Sequence, residues 1–233
     1  MNDKKIWEFL MDKIQNPYGV AALMGNLYVE SKLNPKDLQG SYERKLGMSD
    51  DEYTDLVDKG SYTRDMFIND QAGYGLAQWT YWSRKEALYD YAKTEDTSIG
   101  NLDMQLMFLW KELQSYKTVL TTLKTASDVR EASDIVVKRY EKPKNQTEPY
   151  LANRAKYGQE FYNKYANEKK TKYVIATANV NIRAGNSTDY KKVGQLPKGQ
   201  KLEWVATAEN GWHAVKNDAN VYWISGDFSA LSE

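Results

Sequence analysis

The apolar pattern of this chain changes period once, near residues 167–172, and that change limits the available folds more than any other feature. Up to about Ala166 the apolar residues recur at helical spacing. Ile6, Phe9, Leu10 and Ile14 form one stripe, with Asp3 as its expected cap. Val20, Leu23, Met24 and Leu27 form the next, behind Asn16 as N-cap and Pro17 at the first helical position. The polar stretch from about Asn34 to Gln71 reads as short helices mixed with loops. Ser83 with Glu86 fits a capping box before Leu88 and Tyr91; Asp128 with Glu131 fits another before Ile135, Val136 and Tyr140, with Pro143 as the stop. Leu102, Leu106, Leu109, Trp110 and Leu113 predict a helix at the centre of the core, and Pro149 opens a last one bearing Tyr157, Phe161 and Tyr165.

Beyond Asn167-Glu168-Lys169-Lys170 the apolar residues fall in short runs, among them Val180 and Ile182, Leu202 to Val205, and Val221 to Ile224. Turn signals separate them: Gly185-Asn186, Pro197-Lys198-Gly199, Asn210-Gly211 and Asn217-Asp218. Closely spaced short strands of this kind predict a small antiparallel barrel. The expectation is an α+β chain of two domains, mainly α-helical over 1–166, a linker over 167–172 and all-β over 173–233.

Composition removes several chemistries. With no cysteine there is no disulfide, thiolate nucleophile or Cys-rich zinc site, and with one histidine, His213, no multi-histidine metal site. Acid–base work falls to carboxylates. Basic and acidic residues number 32 each, so no general affinity for nucleic acid or an anionic membrane is expected. The 18 Tyr and 7 Trp rule out a disordered chain and suit both core filling and stacking on sugars. Met1 to Glu8 opens without an apolar run, so neither a secretion signal nor a membrane anchor is expected. No signal for an oligomeric state is present.

Glu30 follows Leu27 by three and Leu23 by seven, which puts it on the same face as that apolar stripe, and Asn34-Pro35 places it in the last turn of its helix. Partial burial and the negative helix end both disfavour its charge, as a general acid for a glycosidic oxygen requires. An ordinary Glu bending to solvent fits the same position. In Gly73-Tyr74-Gly75-Leu76-Ala77-Gln78-Trp79-Thr80 two glycines allow close backbone approach to a ligand, and Gln78 offers a donor and an acceptor to sugar hydroxyls. Tyr74, Trp79, Tyr81 and Trp82 supply ring faces that serve a sugar or a core.

Gly25-Asn26-Leu27-Tyr28-Val29-Glu30-Ser31 followed by Gly75-Leu76-Ala77-Gln78 resembles the Glu-Ser and Gly-Leu-Met-Gln pair of goose-type lysozymes and soluble lytic transglycosylases. The longer strings Val20 to Asn26 and Ala72 to Thr80 are more specifically similar to the phage tail-type lysozyme family, over roughly residues 5 to 165. The resemblance implies a lysozyme-like helical domain with Glu30 as general acid on the β-1,4 bond between N-acetylmuramic acid and N-acetylglucosamine. It implies that Ser31 orients the acid or contacts substrate, that Gln78 lines the cleft, and that Tyr140 serves as a cleft tyrosine; a core position beside Val136 is as good a reading of Tyr140. Goose-type enzymes often carry an aspartate just after the glutamine motif, where this chain has Trp79 and Thr80. For the second carboxylate Asp70 is preferred, with Glu43 and Glu141 behind it. Peptidoglycan peptidases of the Cys-His type and zinc amidases are excluded by the missing cysteine and histidines.

Asn179-Val180-Asn181-Ile182-Arg183-Ala184-Gly185, then Leu196-Pro197-Lys198-Gly199 and Asn210-Gly211-Trp212-His213-Ala214-Val215, resemble bacterial SH3-like wall-targeting domains. This implies a barrel that binds peptidoglycan, with Arg183, Tyr190, Trp212 and Tyr222 as candidate contacts and His213 as a strand residue. The expected function is that of a phage or prophage endolysin acting on Gram-positive peptidoglycan. It needs no metal or organic cofactor, and it is held in the host cytoplasm until release in preference to riding on a virion tail. A lytic transglycosylase leaving 1,6-anhydromuramic ends, and a non-catalytic wall-binding or virion protein, are the alternatives.

Overall fold

A computed structural model of the chain describes residues 2–166, 172–218 and 220–232. The chain forms two compact units, Met1–Asn167 and Glu168–Glu233. Of the expected linker, only Lys172 lies within the described residues.

The first unit is helical. It opens with α1 (Asn2–Ile14) and α2 (Pro17–Ser31). Three short helices follow, α3 (Gly40–Leu46), α4 (Asp50–Asp58) and α5 (Arg64–Asn69), in the stretch read as mixed helix and loop. Then come α6 (Trp82–Thr94), α7 (Leu102–Leu113), α8 (Lys117–Thr125), α9 (Val129–Val136) and α10 (Glu148–Phe161). Asn16 caps α2 by accepting from the backbone N–H groups of Tyr18 and Gly19, and Asp128 caps α9 by accepting from Glu131 N. Two local expectations give way. Asp3 sits inside the first turn of α1, and α6 starts before Ser83, with Glu86 taken by Arg64 at 2.8 Å.

The enclosed helix is α2 and not α7. Every residue from Gly19 to Leu27 is buried, because α1, α8, α9 and α10 all pack against it. Such enclosure needs small residues where backbones meet. A Cβ at Gly25 would stand 2.3 Å from Gly158 N of α10, and one at Gly19 would stand 1.9 Å from Leu123 O of α8. After α9 the helix widens into a π turn, Val137–Glu141, which ends at Lys142 in the left-handed conformation (φ 52°).

The second unit is a seven-stranded antiparallel sheet: β1 (Tyr173–Ala176), β2 (Val180–Arg183), β3 (Lys192–Leu196), β4 (Lys201–Thr207), β5 (His213–Asn217), β6 (Asn220–Ile224) and β7 (Ser229–Leu231). The order is β3-β2-β6-β5-β4-β1-β7. Val174 of β1, near one edge, shares a core with Ile182 and Leu196 of β2 and β3 at the other. That sharing requires the sheet to curl onto itself as a small barrel does. Gly199 and Gly211 take positive φ in the turns where the sequence placed them.

Gly25→Ala should lower the stability of the helical unit by about 3 kcal/mol, since its methyl meets backbone rather than a movable side chain. Urea denaturation followed by tryptophan fluorescence measures this; an unchanged midpoint would contradict so close a crossing.

Candidate functional site

Glu30 lies in the last turn of α2, whose chain then reverses through Lys32 in the left-handed conformation. It borders an open cleft of about 470 Å³ together with Gln78, Tyr81, Arg84, Glu141 and Tyr150. From α10, Arg154 donates to Glu30 Oε1, to Tyr150 Oη and, at 3.5 Å, to the carbonyl of Asn26. Its Nη2 also lies 3.4 Å from Glu141 Oε2. Two carboxyl groups from different parts of the chain therefore face one buried guanidinium. The sequence predicted an apolar setting for Glu30, and the structure puts this guanidinium there instead.

The two carboxyl groups differ in exposure: the Glu30 side chain is 22% exposed and that of Glu141 7%. Burial first, and then the negative charge of Glu30, push the Glu141 carboxyl up to about 8, against the pull of Arg154. Next to the cleft residue Gln78, Asp37 accepts from Gln78 Nε2 at 2.8 Å. Burial, reinforced by Asp50, Glu43 and Glu30, pushes the Asp37 carboxyl up to about 6.

The loop carrying Gln78 is pinned by its backbone. Tyr74 and Trp79 form an antiparallel bridge, Gly75 has φ 75°, and Gln78 itself is left-handed at φ 45°. Ser31 Oγ donates to the carbonyl of Leu76 at 2.9 Å, and Leu76 N donates to Gln105 Oε1 at 2.9 Å. Ser31 is buried, so it reaches neither substrate nor acid; it fastens the Gly75–Gln78 turn to the end of α2.

Several other predicted residues are placed elsewhere. Asp70 is sealed beneath this loop, where it accepts from Lys85, from Tyr53 Oη at 2.5 Å, from Tyr62 Oη at 3.2 Å and from Ala72 N at 2.8 Å. With both oxygens so occupied it has no means of holding a water in the cleft. Tyr74 is buried with its hydroxyl on Thr54, and Trp79 is buried with Nε1 donating to Glu112 Oε2 at 2.8 Å. The bridge between these two turns both rings inward, and the next pair, Tyr81 (63% exposed) and Trp82, takes the outer face. Tyr140 is core: its hydroxyl donates to Glu112 Oε2 at 2.7 Å. Arg84 also grips Glu112, with two bonds of 2.8 Å, so Glu112 supports the cleft from behind. Glu43 is half-buried on α3, where its charge acts on Asp37.

Arg154, Glu112 and Asp37 were missed by sequence reasoning. The first two carried a signal: Arg154 interrupts the buried stripe of Leu151, Ala155 and Gly158, and Glu112 sits beside Leu109 and Leu113. Asp37 carried none, being one acid among many in a polar stretch.

In the β unit a second cleft of about 410 Å³ unites Arg183 and Trp212 with Asn179, Asn181, Asp227 and the exposed Phe228. Tyr190 is exposed beside it, its carbonyl accepting from Arg183 Nη1 at 2.8 Å, whereas Tyr222 packs against the barrel core. His213 is a buried strand residue hydrogen-bonded to Thr207 Oγ1 at 2.8 Å. No group of His, Asp or Glu able to hold a metal ion occurs among the described residues.

Replacing Asp70 by Asn should destabilise the helical unit by about 3–5 kcal/mol, because it leaves the Lys85 ammonium buried without its counter-charge. Denaturation curves measure this; an unchanged midpoint would contradict a buried Lys85–Asp70 pair.

Two comparisons bear on this architecture. Residues 1–165 match the family model described as phage tail lysozyme, and residues 178–230 match that of a bacterial SH3 domain. No curated protein matches the chain.

Proposed function

Because the chain belongs to the phage tail lysozyme family, a family of peptidoglycan glycosidases, and carries a peptidoglycan-binding bacterial SH3 domain, we propose that it hydrolyses the β-1,4 bond between N-acetylmuramic acid and N-acetylglucosamine. Glu30 is the general acid. It gives its proton to the glycosidic oxygen as the bond to C1 breaks, and water adds to C1. The observation that carries this reading is Glu30 at the edge of an open cleft, backed by Arg154 and a second, deeply buried carboxyl. Tyr81 and Trp82 present their rings to the glycan strand. Asp37, beside Gln78 and acted on by the charge of Glu30, takes the water-orienting part that Asp70 is too enclosed to play.

The SH3 domain keeps the enzyme on its insoluble substrate by raising local concentration, with the cleft around Arg183, Trp212 and Phe228 as its binding surface. We assign the target to Gram-positive walls and the protein to the endolysin type, waiting in the host cytoplasm until the membrane is opened.

Mass spectrometry of muropeptides released from Gram-positive walls tests the reaction. Reducing muramic ends that vanish in Glu30→Gln, with wall binding retained, are the expected result. Anhydromuramic ends would make the enzyme a lytic transglycosylase, and products independent of Glu30, or none, would remove the assignment.

The acid limb of the rate profile tests Asp37. A base must be ionised, so activity should fall as pH drops through about 6. The charges facing Asp37 are Glu30, Glu43, Asp50 and Lys32. Asp37→Asn should cut the rate by about a hundredfold and abolish this limb; a mutant that keeps it would exclude Asp37.

A further inference from the structure

The Arg154–Glu30 contact poses a chemical difficulty that the structure also answers. A general acid needs a proton, and a guanidinium paired with one carboxylate has none to give. Here the same guanidinium faces a second carboxyl, Glu141, whose Oε2 is buried and accepts no hydrogen bond among the described residues. A buried oxygen without a donor is costly as a carboxylate and is satisfied as a hydroxyl. Glu30, whose carboxylate contacts the same Arg154 Nη2, is the neighbouring group placed to accept that proton.

We infer that Glu141 is the proton-holding partner of Glu30, a positioning residue that stores the catalytic proton between turnovers and passes it to Glu30 when substrate covers the cleft. This rests on the reading of Glu30 as general acid and deepens it. The backbone supports it independently. The π turn Val137–Glu141 ends α9 on two consecutive buried side chains, Tyr140 toward Glu112 and Glu141 toward Arg154, and such turns inside helices frequently mark functional sites.

In the resting site Glu141 carries the proton and Glu30 is the carboxylate paired with Arg154. A sugar laid over the more exposed Glu30 strips its remaining water and raises its demand for a proton. The proton crosses to Glu30, and Glu141 becomes the carboxylate partner of Arg154. Glu30 then protonates the leaving oxygen, which takes the electron pair of the broken C1–O bond. Both carboxylates are now ionised beside one guanidinium, and the extra negative charge faces the cationic sugar as it forms. Asp37 takes the proton of the attacking water and releases it to solvent, and solvent returns one proton to the Glu30–Glu141 pair. Arg154 stays charged throughout.

The ionisable groups facing Glu141 are Glu30 from α2, Arg84 from α6, Arg154 and Tyr150 from α10, and Tyr140 from its own turn. The pair must hold its proton to work, so activity is present below, and lost as pH rises through, about 8.

Glu141→Gln in the full chain, assayed for kcat and KM on soluble peptidoglycan fragments across pH, tests the inference. The expected result is a kcat lower by about two- to tenfold at pH 7, the loss that the displaced limb produces, with a larger loss at higher pH. Its alkaline limb should be displaced downward by roughly 1–2 pH units, with KM and wall binding unchanged. Glu141→Asp should restore the limb. A deficit equal at every pH, or none, would overturn the inference. Full activity in Glu30→Gln would instead sink the general-acid reading beneath it. Should Glu141→Gln fail to fold, carbon-13 NMR of the wild-type carboxyl groups, assigned with Glu141→Asp, decides: a Glu141 carbon titrating in the ordinary carboxylate range would overturn it.

Discussion

The close crossing of α2 and α10 sets the depth at which the rest of the helical unit is built. Gly25 and Gly158 leave no room for a side chain between the two backbones, and the carbonyl of Arg154 is itself part of that contact. Pressed this near, Arg154 extends along α2, reaching the carbonyl of Asn26 and then Glu30 one turn later. A Cβ at Gly25 would move α10 outward and with it the guanidinium that organises both carboxyl groups. The apolar packing of α2 and the electrostatics of the cleft are thus one construction, with the charged residues at the open end of a nearly all-buried helix.

A second set of ties fixes the opposite wall. Ser31 joins the end of α2 to the Leu76 carbonyl, Gln105 holds the Leu76 amide, and Lys85 with Asp70 closes the backbone at Ala72. Each satisfies a backbone or charged group that the tight turn would otherwise leave buried and unpaired. Hydrogen bonding in this loop is spent on shape, leaving Gln78 at the cleft with its amide held by Asp37. The adjacent residues Glu30 and Ser31 divide the labour: one borders the cleft, the other anchors the wall facing it.

The cleft belongs to the helical unit alone and the Arg183–Trp212 surface to the β unit alone. In the proposed function cleavage and attachment therefore use separate residues, which suits an enzyme whose substrate is a solid. Tethering raises the encounter rate without asking the catalytic cleft to bind tightly.

Periodicity alone determined the two-domain organisation, since helices of period 3.6 and strands of period 2 are written locally in the order of apolar residues. The same locality marked the caps at Asn16 and Asp128 and put Glu30 on the stripe of Leu23 and Leu27. Motif resemblance added Gln78. Which ring of the Tyr74–Trp82 segment faces out was decided by a bridge between Tyr74 and Trp79, a pairing no local preference dictates. Only the fold could bring Glu141 and Arg154, more than a hundred residues beyond Glu30, onto one carboxyl group. Charges interact through space and solvent exclusion, and both are set by how the helices pack rather than by the order of residues along the chain.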